Sequence, residues 1–209
     1  PDMVHYHTVG FQLIFCHRGW VDLVYEDQGE PFRLYAGSCV IQPPEIRHRV
    51  LFASDNIEVI EIGVPAVHVT TIDHEMELPN AGVNPERLFQ GQRFVHHKAE
   101  GAEWRPFRLP GFQSRDTLIE ANTGGVAGVH VVRRGEGSPD WTRHEGDILV
   151  TFVMEGAMTL EGEGKEPFRL TPGDAFVIPP RMATRYAEPS DDIEFLEVAL
   201  PGAFATISG

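Results

Sequence analysis

Apolar positions gather into short runs rich in β-branched and aromatic residues: Phe11 to Cys16, Val21 to Tyr25, Ser38 to Gln42, Ile57 to Val64, Ile148 to Met154, Ala175 to Ile178 and Ile193 to Leu200. Gly and Pro, 21 and 16 of them, punctuate the chain between these runs. Short strands with turn residues between them predict an all-β sandwich or barrel. Helical periodicity is nearly absent. A single helical turn is predicted over 84–89, with Asn84 as cap and Pro85 at the first helical position. In the first run Phe11, Leu13 and Phe15 alternate with Gln12, Ile14 and Cys16, so both strand faces are largely apolar, and Ile148 to Met154 repeats the pattern. A barrel interior covers one face only. The other must meet a second sheet, a sister barrel or another subunit, which predicts a homo-oligomer, a dimer being the simplest.

The chain also repeats itself at an offset of 136 to 137 residues. Glu30-Pro-Phe-Arg-Leu34 returns as Glu166-Pro-Phe-Arg-Leu170, and Gly37 with Pro43 and Pro44 returns as Gly173 with Pro179 and Pro180. Ser54-Asp-Asn-Ile-Glu58, followed by Glu61 and Pro65, returns as Ser190-Asp-Asp-Ile-Glu194, followed by Glu197 and Pro201. A period this long is a domain, not a solenoid unit. Two copies of one β-fold are expected, over 1–70 and 100–209, with 71–99 as connector. The second copy has a long stretch, from Trp104 to Asp140, ahead of the region that matches Val4, and the first has only Pro1 to Met3 there. Either the first barrel is missing its opening strands, or part of the connector or a neighbouring subunit supplies them.

Composition narrows the classes of function. With 209 residues, 42% of them hydrophobic, the chain is long enough for one large or two small cores. No apolar run approaches the roughly 20 residues that span a bilayer. Seventeen Lys and Arg against 31 Asp and Glu give a net charge of −14, which disfavours nucleic acid and anionic lipid as partners. Two cysteines, Cys16 and Cys39, are too few for a disulfide framework or a cysteine zinc cluster. No secretory signal is recognisable, and the compartment is read as cytoplasmic, although the chain opens at Pro1 rather than at a methionine.

The candidate chemistry is carried by histidines. His5 and His7 are two apart, so on a strand both imidazoles project from one face. His48 follows the Pro43-Pro44 turn and begins a returning strand, and Gln12 lies just beyond a small turn at Thr8-Val9-Gly10. Two imidazoles from one strand, a third from its hairpin partner and one oxygen donor suit a divalent transition ion and leave coordination positions for water or substrate. His17, His68, His74 and His130 have no partner at ligand spacing, and adjacent His96 and His97 face opposite ways. Cys16 is expected to pack in the barrel rather than to act as a nucleophile.

These residues resemble the two motifs of the cupin superfamily. The first is His-x-His, three or four residues, Glu, six residues, Gly; His5, His7, Gln12 and Gly19 keep the spacing, with Gln in place of Glu. The second is Gly, five residues, Pro-x-Gly, two residues, His, three residues, Asn; Gly37, Pro43 and His48 match, with Glu45 for the Gly and Phe52 for the Asn. The resemblance implies two tandem cupin barrels, each a double-stranded β-helix or jelly roll, in a small bicupin. It also implies one divalent ion per chain, Fe, Mn, Ni or Zn, at His5, His7, Gln12 and His48. The other role open to Gln12 is a hydrogen bond to a histidine or a bound water. In the second copy Thr142, His144, Leu149 and Thr184 fall at the four ligand positions, so only one imidazole survives and that barrel is expected to be metal-free. The family spans many reactions. The leading expectation is a dioxygenase-type oxidoreductase acting on a small, anionic molecule. The alternatives are an isomerase, epimerase or lyase acting on a sugar acid or keto acid, and a ligand-binding protein without catalysis.

Overall fold

The structure is a computed structural model and describes residues 3–209. The chain divides into two compact units, one made of residues up to 101 with 122–124, the other of 102–121 with 125–209. The first unit holds β1 (His5–His7), β2 (Phe11–Arg18), β3 (Trp20–Tyr25), β4 (Phe32–Tyr35), β5 (Cys39–Ile41), β6 (His48–Ala53), β7 (Glu58–Val64), β8 (Thr70–Ile72) and β9 (Val95–His97). The second holds β10 (Arg105–Pro106), β11 (Phe112–Asp116), β12 (Gly128–Arg134), β13 (Thr142–His144), β14 (Ile148–Glu155), β15 (Met158–Gly162), β16 (Phe168–Leu170), β17 (Ala175–Val177), β18 (Thr184–Ala187), β19 (Glu194–Leu200) and β20 (Thr206–Ser208). Every run read as a strand overlaps one and overhangs it by at most a residue at either end. A short helix, α1 (Ile119–Asn122), is the one helix among the described residues, and no helix is long and apolar enough to cross a membrane.

The two units share one antiparallel frame of eight strands. In the first, sheets run β4-β3-β6-β1-β8 and β7-β2-β5-β9; in the second, β16-β15-β18-β13-β20 and β10-β11-β12-β19-β14-β17. Strands β1 to β8 therefore correspond in order to β13 to β20. Register agrees at the pairs that frame the interior: His5 pairs with His48 as Thr142 pairs with Thr184, and Ile14 with Glu61 as Thr151 with Glu197. Both copies even share an irregularity, between Cys16 and Arg18 and between Val153 and Glu155. Burial on one face fixes such register, because a slip of one residue would turn every core side chain outward.

Two tight spots are conserved between the copies. Gly19 and Gly156 both have φ near +70°, at 70° and 68°. A Cβ would lie 2.2 Å from Ser54 Oγ in the first and 2.5 Å from Ser190 Oγ in the second, so only glycine fits the turn. Glu45, which stands where the cupin motif has glycine, keeps the left-handed backbone with φ 63°, and Arg181 in the second copy does the same at 66°.

The copies differ at their sheet edges. The second unit covers β19 with β12 and β11, whereas the first leaves the corresponding β7 edge without a paired strand among the described residues. Conversely β9, from the stretch read in the sequence as a connector, covers β5 of the first unit, and β17 of the second carries no such strand. The same stretch completes β8, which flanks β1. The helical turn expected at 84–89 is not formed. Asn84 instead opens a simple turn, accepting from Arg87 N–H at 3.0 Å, because the Arg87 guanidinium is drawn to Glu26 at 2.7 Å and Asp27 at 2.6 Å and Asn84 N–H bonds Asp27 O. Each unit has its own apolar core, around Tyr25, Leu34, Val40 and Ile46 in the first and around Val153, Met158, Ile193 and Phe195 in the second. Cys16 is fully buried in the first core, and burial pushes its thiol up to about 11, so it behaves as a small hydrophobe.

Candidate metal centre

Strand alternation puts His5 and His7 on one face of β1, and the β1–β6 pairing sets His48 directly opposite His5. The ring centroids stand 4.2 Å apart for His5 and His48, 5.1 Å for His5 and His7 and 5.2 Å for His7 and His48. One ring nitrogen from each lies within 4.8 Å of the others, the only such group of three His, Cys, Asp or Glu ligand atoms among the described residues.

Each imidazole is tied down by its other nitrogen. His5 Nδ1 bonds Met3 O at 2.9 Å and His48 Nδ1 bonds Ile46 O at 3.0 Å. Since a carbonyl only accepts, the proton sits on Nδ1 in both rings and Nε2 carries the lone pair. His7 Nδ1 is held by Thr70 Oγ1 at 2.8 Å, which β8 brings alongside β1. Such hydrogen bonds from the far nitrogen fix tautomer and ring orientation in metal-binding histidines. Burial drives His48 down to about 3 and also lowers His7, with the neighbouring His5 and His68 adding to the shift on His7. Imidazoles held neutral in this way are in the ligating form without help from a metal.

Gln12 is buried on β2, and its amide is oriented: Nε2 donates to Glu61 Oε1 at 2.7 Å. Its Oε1 is buried without a hydrogen-bond partner. An orphaned buried acceptor is costly unless something absent from the protein atoms satisfies it, and a cation or its bound water would. The three imidazoles thus fit a divalent first-row ion, and Gln12 Oε1 is a buried acceptor still to be satisfied. Behind His48, the Tyr25 ring stacks at 5.5 Å, and its hydroxyl accepts from Gln42 Nε2 at 2.9 Å.

His68, which sequence spacing assigned no partner, belongs beside this group. Its ring meets His7 edge-on at 5.6 Å, and Nδ1 donates to Pro65 O at 3.2 Å. It reaches the site because it lies two residues before Thr70, which pairs with His7. Only knowledge of that pairing would have revealed it. His96, by contrast, stacks on Phe32 at 4.2 Å, away from the three histidines. In the second unit Thr142, His144, Leu149 and Thr184 do come together around one small cavity.

Residues 128–198 match the family described as Cupin domain. Over nearly its whole length the chain also matches the fold of solved structures. The family match lies within the second unit, and the chain as a whole shares the cupin fold. Oxalate decarboxylase from Bacillus subtilis superposes with a TM-score of 0.69 at 12% identity, over 99% of this chain and 66% of that one. Salicylate 1,2-dioxygenase from Pseudaminobacter salicylatoxidans gives 0.65 at 17% identity, over 99% and 70%, and a mutant of that dioxygenase in complex with gentisate gives 0.68 at 17%, over 99% and 68%. At such identities the likeness is one of fold. The chain spans about two thirds of their length. No curated protein matches it in sequence.

Proposed function

We propose that this cupin is a metal-dependent oxidoreductase of the dioxygenase type, acting on a small, anionic molecule at one divalent ion held by His5, His7 and His48, with Gln12 as an additional oxygen donor. The observation that carries the reading is the convergence of three histidines whose Nδ1 atoms are all engaged elsewhere, which leaves the three Nε2 atoms to meet one ion. The two-barrel dioxygenase and decarboxylase of like fold support the class of chemistry, a small carboxylate in a metal-bearing cupin.

When bound, the ion supplies Lewis acidity and redox capacity. The chain's own residues set the charge. His5, His7, His48 and Gln12 are neutral donors, so the ion keeps its full double charge and attracts an anion. Glu61 stands one hydrogen bond further out, behind the Gln12 amide, and aligns that amide. His68, with Nδ1 engaged, leaves its Nε2 available beside His7.

Metal analysis of untagged protein, followed by a screen of small carboxylates with oxygen monitoring, tests the reading. Oxygen uptake that requires the metal and disappears in His48→Ala is the expected result. Metal-dependent turnover without oxygen would instead favour an isomerase, epimerase or lyase, for which the neutral donor set also argues, since it stabilises an enolate. Ligand binding without turnover would favour a non-catalytic binding protein.

A further inference from the structure

The second barrel carries a cation of its own. Arg108 lies between β10 and β11, a stretch outside the eight-strand repeat, and its side chain enters the interior of that barrel. There it lines a cavity of about 10 Å³ with Thr142, His144, Leu149, Thr184 and Tyr186. The guanidinium grips Glu197 through Nε at 3.2 Å and Nη2 at 2.5 Å, and Nη1 donates to Thr206 Oγ1 at 3.2 Å. Glu197 is 1% exposed, and a carboxylate so buried needs a matched charge.

Strand register gives each partner a counterpart in the first barrel. Thr142 and Thr184 stand for His5 and His48, Glu197 for Glu61, and Thr206, paired with His144, for Thr70, paired with His7. In the first barrel Thr70 Oγ1 holds His7 Nδ1. In the second, Arg108 has taken the Thr206 hydroxyl and His144 is tied the other way round: Nε2 donates to Ile178 O at 2.9 Å, and Nδ1 is buried with no partner. His144 itself is 3% exposed.

We propose that Arg108 is the resident cation of the second barrel, a tethered substitute for an ion, and that by holding Glu197 and Thr206 it keeps a latent divalent-cation site at His144 and Glu197 closed. The comparison with an ion rests on the metal reading of the first barrel. A guanidinium stays charged and its planar fork matches a carboxylate, so it balances Glu197 without any ion. Without it, the Thr206 hydroxyl is released to hold His144 Nδ1, as Thr70 holds His7. His144, freed from Ile178 O, and Glu197, freed from Arg108, would then be the ionisable donors left in that barrel, with the Thr142 and Thr184 hydroxyls and water as further oxygen donors. Imidazole with oxygen donors suits a first-row divalent ion.

Cobalt(II) titration of the full chain, read by visible absorption and by metal content after gel filtration, tests this. Wild type should bind one ion, Arg108→Ala two, and Arg108→Ala with His144→Ala one again. Arg108→Ala that retains native circular dichroism and still binds one ion overturns the latent site. In a His48→Ala background, Arg108→Ala should raise the stoichiometry from zero to one. A gain of one ion on Arg108→Ala in that background supports the second-barrel assignment even where His48→Ala has left metal content unchanged and so defeated the first-barrel reading. Should Arg108→Ala fail to fold, Arg108→Met combined with Glu197→Gln removes both charges and should recover the thermal transition lost in Arg108→Met alone. Absence of that recovery overturns the assignment of Arg108 as the charge partner of Glu197.

Discussion

His7 and His144 occupy the same place in two copies of one frame, yet their rings are held in opposite senses. His7 is fixed through Nδ1 by Thr70 and offers Nε2 to its neighbours, whereas His144 spends Nε2 on Ile178 O and leaves Nδ1 unpartnered. The frame is indifferent to this choice, because register and sheet order are the same in both. What decides it is the charge placed at the centre: three neutral imidazoles in one barrel, an arginine paired with a carboxylate in the other. A β-frame of this kind specifies where interior side chains meet and leaves their chemistry open.

The sharpest way to break the comparison is to exchange the residues that pair across it. His48→Ala should abolish stoichiometric metal binding, while Thr184→Ala at the matching position should leave metal content unchanged, both read by elemental analysis. Arg108→Met should destabilise the second barrel by about 3–5 kcal/mol, the cost of stranding a buried charge. Urea unfolding would register it, with no change in metal content of the first barrel.

Acid should separate the barrels next. The folded pKa of His48, about 3, lies below the ordinary 6.5, so the unfolded chain takes up a proton that the folded chain refuses. That contribution to stability is fully present above pH 6.5 and is lost as the pH falls towards 3. The slope approaches one proton, or about 1.4 kcal/mol per pH unit. Urea unfolding of the chelated protein across this range should show the slope, and His48→Gln should flatten it. Thr184, at the corresponding position, does not titrate. The low value at His48 and the lowering at His7 also imply that metal affinity persists to lower pH than free histidines would allow.

Glycine substitutions probe the shared turn. A Cβ at Gly156 would meet Ile193 Cα and N at 2.7 Å, whereas at Gly19 the backbone contact, to Asn56 C, is 3.2 Å. Gly156→Ala should therefore cost more than Gly19→Ala, by roughly 1 kcal/mol on top of the positive-φ penalty common to both. A further probe concerns charge at the first site. Gln12→Glu alone would set two carboxylates against each other, since Glu61 lies 2.7 Å from the amide. Gln12→Glu with Glu61→Gln moves the charge inward cleanly, and should retain the metal while weakening carboxylate binding about tenfold, measured by calorimetric titration.

The amino-acid sequence by itself determined the all-β class, the duplication and the four positions proposed as ligands, because each is written in local spacing: alternation places His5 and His7 on one face, and a repeat whose offset varies by a single residue carries its own register. Only the tertiary structure decided what depends on pairing between distant strands. It brought His68 beside His7, built β8 and β9 from the stretch 71–99 into the first unit, and replaced the expected turn of helix at 84–89 with a turn anchored by Arg87 on Glu26 and Asp27. It also aimed Arg108 at Glu197, 89 residues away in sequence. Spacing along a chain fixes faces and periods over a few residues; which charge meets which across a barrel follows from sheet order, and no local pattern records it.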